Sequence, residues 1–62
     1  MHSDLAELST VASQIDDLIS RVVEVAERHH GTDSEHVAIR LFEVERSLQQ
    51  AGRNLQSAVR AF

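Results

Sequence analysis

The residues best suited to chemistry lie at the middle of the chain, where three of its four histidines are close together. His29, His30 and His36 flank the segment Gly31-Thr32-Asp33-Ser34-Glu35. Neutral imidazole nitrogens and carboxylate oxygens are ligands for zinc or nickel. Adjacent histidines on a helix point about 100° apart, however, and no two are four residues apart, as a two-point helical clamp requires. A metal-binding turn is therefore the third-ranked hypothesis, and no cofactor is expected.

Paired carboxylates are a second possible source of chemistry. They occur at Asp16-Asp17 and at Glu43 and Glu45, in each case beside apolar helical positions where a charge is ordinarily solvated. The sequence contains no cysteine, and we find no pattern of nucleophile, base and orienting group and no glycine-rich phosphate loop. We therefore predict that the protein is not an enzyme and that it has no catalytic residue.

A stripe of arginines is the third feature of this kind. Arg46, Arg53 and Arg60 recur every seven residues and so share one side of a helix. An arginine keeps its charge and offers a planar fork to phosphates or carboxylates. The net charge of -4 and the absence of aromatic residues between the arginines argue against nucleic acid as the expected partner. A nucleic-acid-binding regulator is accordingly the alternative function, and an acidic protein partner is a competing ligand.

The apolar pattern predicts the elements that position these residues. Apolar side chains step by three and four on both sides of Gly31, and no proline interrupts the chain, which indicates two helices. Gly31 suits the left-handed residue that ends a helix, and Thr32 with Glu35 matches a capping box in which Thr32 is the N-cap. One domain over 1–62 is predicted, with helix 1 over about 3–30, the turn over about 31–33 and helix 2 over about 33–61.

The two predicted helices pair without a gap if the numbers of facing residues sum to 63. Steps of three and four are typical of helices that pack at about 20°. The predicted layers are Leu5 with Ala58, Leu8 with Leu55, Ala12 with Ala51, Ile15 with Leu48, Ile19 with Val44, Val22 with Leu41, and Ala26 with Val37. Phe62 continues the row on helix 2. This arrangement is an antiparallel helical hairpin.

Additional apolar residues make the stripes wider than one neighbouring helix can cover. Val11, Leu18 and Val25 flank the row on helix 1. Four residues lie outside the row on helix 2, namely Ala38, Ile39, Phe42 and Val59. Wide stripes are typical of four-helix bundles. The predicted fold class is all-α, a two-helix antiparallel hairpin that dimerises into a four-helix bundle. The predicted bundle interface comprises Leu8, Val11, Ile15, Leu18, Ile19, Val22, Val25, Leu41, Phe42, Leu48 and Leu55.

Length and composition favour a small structural or protein-interaction protein. A hairpin of 62 residues leaves much apolar surface in water, so the expected partner is a second copy or another helical protein. The apolar runs are too short for a membrane span, and no signal-peptide pattern occurs. A cytoplasmic location is expected, with secretion by a non-classical route as the alternative.

The segment from Leu48 to Phe62, rich in Ala, Gln and Arg, resembles the second helix of small helical-hairpin proteins of type VII secretion. Leu5–Val25 is compatible with their first helix. His30-Gly31-Thr32 stands where that family has its Trp-x-Gly turn, and the family's Tyr-x-x-x-Asp/Glu signal does not occur. The layered seam is also similar in plan to ROP-like RNA-binding hairpins, which dimerise into four-helix bundles. These resemblances imply a hairpin plan and transfer no functional residue.

Overall fold

The computed structural model describes residues 2–62, which form two α-helices joined by a short turn. Helix α1 spans His2–His29 and helix α2 spans Glu35–Arg60. The Cα atoms occupy 49 × 15 × 9 Å, the dimensions of two long helices lying side by side. Because the chain reverses direction within residues 30–34, the helices are antiparallel. The predicted all-α class with two helices is confirmed.

Helix α1 has a charge distribution and an apolar row that suit an amphipathic helix. Asp4 lies in its first turn and Arg28 and His29 in its last, so charges of the favourable sign lie near both ends of the helix dipole. Its less exposed side chains include a row that steps by three and four. The members of this row are Leu5, Leu8, Ala12, Ile15, Ile19, Val22, Ala26 and His29. The row forms the α1 side of the seam between the helices.

The α2 side of the seam differs from the prediction. Val44, Ala51, Ala58 and Phe62 were predicted to face α1, but all four are exposed, Val44 by 42% and Phe62 by 55%. The less exposed row consists of Ala38, Leu41, Glu45, Leu48, Gly52, Leu55 and Val59. The three leucines belong to both rows. Helix α2 is therefore rotated about its axis relative to the predicted pairing.

Small residues account for this rotation. Ala26 and Ala38 are the fully buried apolar residues of the described chain, each 0% exposed. A Cβ atom at Gly52 would lie 3.7 Å from Cγ2 of Ile15. Turning Ala38 and Gly52 toward α1 lets the two helices approach closely and increases van der Waals contact. Ile15 thus lies beside Gly52, which was not among the residues predicted to face α1.

The rotation also brings a carboxylate into the seam. Glu45 is half-buried between Leu41 and Leu48 along the row, whereas Glu43 is exposed. The apolar pattern places both glutamates beside the seam, whereas Glu45 lies within the less exposed row of α2. Gln49 Nε2 donates a hydrogen bond to Glu45 Oε2 at 3.3 Å. This bond meets part of the hydrogen-bonding need that partial burial creates.

Replacing Gly52 with alanine is expected to stabilise the hairpin by about 1 kcal/mol, because alanine is the better helix former. The added methyl group would make an ordinary contact with Ile15 at 3.7 Å. Denaturant unfolding followed by circular dichroism, at one protein concentration, measures the change. Gly31→Ala is the matched control and should destabilise by about 1 kcal/mol, since Gly31 has a φ of 77°. A less stable Gly52→Ala variant would contradict the packing described for this layer.

Candidate functional site

The turn is held by one carboxylate that reaches back from the start of α2. Glu35 Oε1 accepts a hydrogen bond from the Gly31 N–H at 2.9 Å. Glu35 Oε2 lies 3.1 Å from Nδ1 of His30, an ion pair when the imidazole is protonated. The bond from Gly31, followed by that from His30, holds the pKa of Glu35 below its ordinary value. Glu35 thus links both ends of the turn.

Thr32 acts in the turn, but it is not the N-cap that the capping box predicts. Its hydroxyl donates to the His29 carbonyl at 2.6 Å and accepts from the Ser34 N–H at 3.0 Å. Helix α2 begins two residues later than predicted, with Ser34 as N-cap and no side-chain capping bond. A capping box would join the Thr32 hydroxyl to the Glu35 N–H and the Glu35 carboxylate to the Thr32 N–H. Here the hydroxyl accepts from the Ser34 N–H, and the carboxylate accepts from the Gly31 N–H.

The histidines do not converge on a metal-binding geometry. Among the side chains that the structure describes, those of residues 3–62, no group of three His, Cys, Asp or Glu could hold a metal ion. His29 is half-buried at the end of α1, and His36 is exposed. The His30 ring packs edge-on against Phe42, with 6.2 Å between ring centroids and 80° between ring planes. In this arrangement His30 joins the turn to α2.

The hairpin has two broad sides, which differ in chemistry. On one side, Asp16 of α1 shares an open groove with Gln49 and Gln56 of α2. Ser9 and Gln56 border the next groove, whose other lining residues are apolar except for Arg60. We call this side the polar face. His30 and Phe42 lie toward the same side, because Phe42 is one heptad from Gln49. Phe42, which was predicted to belong to the bundle interface, is therefore placed against His30 on the polar face.

The opposite side is the apolar face. Leu18, Val22 and Val25 line a groove there together with Leu41. Because Gln49 and Gln56 occupy the other flank of the α2 seam, the flank that contains Val44 must lie on this side. The apolar face is defined by the flanking residues Val11, Leu18 and Val25 of α1 and Val37, Val44, Ala51 and Ala58 of α2.

Most of the predicted bundle-interface residues lie in the seam or on the apolar face. Ile15, Val22, Leu41 and Leu48 are half-buried seam residues next to the apolar flanks, and Val11 and Val25 are half-buried on those flanks. Leu8 and Leu55 are half-buried seam residues that line a groove on the polar face. Ile19 is in the seam but lines a groove on the polar face. Leu18 is 41% exposed and Val44 42%. Val44, Ala51 and Ala58 were missed as surface residues because their apolar character suggested that they face α1.

The arginine stripe lies beside the polar face. Arg46, Arg53 and Arg60 are all exposed, and Arg53 shares a groove with Asp16. Arg53 Nη2 also donates a hydrogen bond to Gln50 Oε1 at 2.9 Å. The stripe is accordingly accessible even when the apolar face is covered, but a carboxylate lies close to its centre.

The Glu35 carboxylate is expected to make hairpin stability depend on acid. Its pKa is lowered in the folded chain, so its contribution is present at neutral pH and is lost as pH falls from about 4.5 downward. Thermal unfolding of Glu35→Gln should therefore show a smaller loss of Tm on acidification than the unaltered chain. Glu43→Gln, at an exposed position of the same helix, is the control and should retain the full loss. Equal acid sensitivity in Glu35→Gln would remove the carboxylate as the cause.

Neither helix of residues 2–62 has an apolar stretch long enough to cross a membrane. A comparison of the chain with protein-family models, with characterised proteins and with solved structures finds no match.

Proposed function

We propose that the protein is a small non-enzymatic interaction protein that acts by docking its apolar face in a four-helix bundle. The other two helices come from a second copy or from another helical protein. The observation that carries the proposal is the position of Leu18 and Val44. They are large apolar side chains, 41% and 42% exposed, and both lie on the same broad side of the hairpin.

Burial of this face supplies the driving force. Fully burying a valine or leucine side chain contributes roughly 1.5–3 kcal/mol relative to leaving it in water. Leu18 and Val44 gain part of this on docking, and the half-buried Val11 and Val25 gain a smaller part. Docking on the polar face would desolvate Asp16 and Arg53, which line its first groove, although Leu55 and Val59 make its second groove largely apolar. Docking a partner on the apolar face is therefore more favourable than docking it over the groove that contains Asp16.

Val44→Asp is expected to weaken or abolish self-association, because it places a charge at the centre of the apolar face. Sedimentation equilibrium at micromolar concentration measures the effect. Ile39→Asp is a matched control, since Ile39 is also an aliphatic residue of α2 and is 55% exposed, but it lies off the apolar face. It should leave the association unchanged. Equal losses in both variants would contradict the proposal, and a fully folded monomer of the unaltered chain would contradict docking between two copies.

Nucleic-acid binding is the second candidate, supported by the exposed arginine stripe. Arg46, Arg53 and Arg60 offer three guanidinium groups along about 21 Å of one helix. Phosphates spaced along a backbone could meet such a row. The proximity of Asp16 to Arg53 lowers the positive potential at its middle, which is why we rank this function below bundle formation.

The arginine stripe yields a separate prediction. If it binds phosphates, the anisotropy of a fluorescent RNA or DNA duplex should rise with added protein, and the affinity should fall steeply with salt. Arg53→Glu should remove the binding, whereas Arg21→Glu, at an arginine of α1 outside the stripe, should have a smaller effect. Absence of binding at low salt would exclude this function and leave bundle formation untouched.

A further inference from the structure

We propose that the apolar face is covered by a second copy of this chain in antiparallel orientation, with the turn of one hairpin beside the open end of its partner. This inference rests on the proposed function of the face as a docking surface. It adds the identity of the occupant and its direction, which the apolar pattern alone leaves open because its near-mirror layers suit both directions.

The charges along the edges of the apolar face differ between its two ends. Arg21 borders the groove formed by Leu18 and Val25, so Glu7 and Arg28, which lie two heptads before and one heptad after it, follow the same edge. On α2, Arg40 borders the groove that contains Val44. The turn end of the face thus carries Arg28 and Arg40.

The open end of the face carries carboxylates. Asp4 lies one heptad before Val11 and therefore continues the α1 flank of the face, and Glu7 lies at its edge. Both residues are exposed. Within the part of the chain that the structure describes, neither Arg28 nor Arg40 has a carboxylate within 4.0 Å. Arg21 differs, since its Nη1 lies 3.7 Å from Oδ2 of Asp17.

Antiparallel docking sets these opposite charges against each other. A two-fold axis across the middle of the hairpin stacks α1 of one copy on α1 of the other, which brings Arg28 opposite Asp4 and Glu7. Arg40, on α2, reaches the same level on the neighbouring helix. The same axis repeats the match at the other end of the bundle. Parallel docking would gather the arginines of both copies at one end and the carboxylates at the other, which is unfavourable for both sets.

Other carboxylates near the turn end do not alter this match. Glu24 and Glu43 are exposed. Around the helix axis, Glu24 is turned farther from the apolar face than Arg28, and Glu43 is turned farther from it than Arg40. Glu43 borders the outer groove of α2, but at that edge Arg40 stands beside it. Of the arginines and carboxylates compared at the turn end, the arginines therefore lie nearer to a docked partner.

The size of the face is what a stable dimer requires. The Cα atoms of the hairpin extend over 49 by 15 Å, so one broad side has a footprint of roughly 700 Å². Stable protein interfaces typically bury about 800 Å² on each partner. A second hairpin of the same length and flatness covers the whole face, and its own apolar face is covered in return.

Charge reversal tests the orientation. Glu7→Arg should weaken dimerisation roughly tenfold, and the double variant Glu7→Arg with Arg28→Glu should return the dissociation constant to within about threefold of the original. These positions lie about 32 Å apart on one helix, so no contact within a hairpin can provide the rescue. Glu27→Arg, a reversal of the same sign off the apolar face, is the control and should leave dimerisation unchanged. Failure of the double variant to rescue would overturn the inference.

A distance measurement separates the inference from the proposed function. The chain has no cysteine, so Asp33→Cys allows one spin label at the turn of each hairpin. Pulsed electron resonance should give a label separation near 40 Å in an antiparallel dimer and below about 20 Å in a parallel one. A dimer with the short separation would overturn the orientation and leave the proposed function standing. A folded monomer would overturn the inference and leave another helical protein as the partner in the proposed function.

Discussion

The structure depends on the fact that two helices in contact can cover only one stripe of each. In this hairpin only Ala26 and Ala38 are fully buried among the described apolar residues, and both are small. No large side chain is available at the centre to stabilise the pair as a larger domain would be stabilised. Leu18 and Val44 are exposed on one side of the hairpin, and Ile39 is exposed off that side. The position of the seam therefore determines which residues stay available to a partner.

The turn and the seam together fix the rotation of α2. Glu35 starts that helix while its carboxylate is bound to the backbone of Gly31. The His30 ring then packs on Phe42, one residue after the first leucine of the α2 seam. These contacts set the direction in which α2 leaves the turn. With α2 rotated in this way, Gly52 lies beside Ile15, and Val44 points away from α1.

The sequence was sufficient to predict two helices, the reversal at Gly31 and the backward reach of Glu35. It was not sufficient to predict the rotation of α2, because Leu41, Leu48 and Leu55 fit two overlapping rows. Hydropathy favours the row that contains Val44, whereas the structure uses the row that contains Glu45. The gain from close approach at Ala38 and Gly52 depends on the distance between the helices, which apolar spacing does not report. The same ambiguity hid the α2 half of the apolar face.

The short turn has a kinetic consequence. Helices joined by residues 30–34 meet without closing a long loop, and most of the remaining contacts lie within each helix. Chains of such low contact order fold within microseconds to milliseconds. Hairpin closure is then a unimolecular step whose rate does not depend on protein concentration. In the proposed bundle, the encounter of two hairpins is the bimolecular step, so the abundance of the protein in its source sets the rate of assembly.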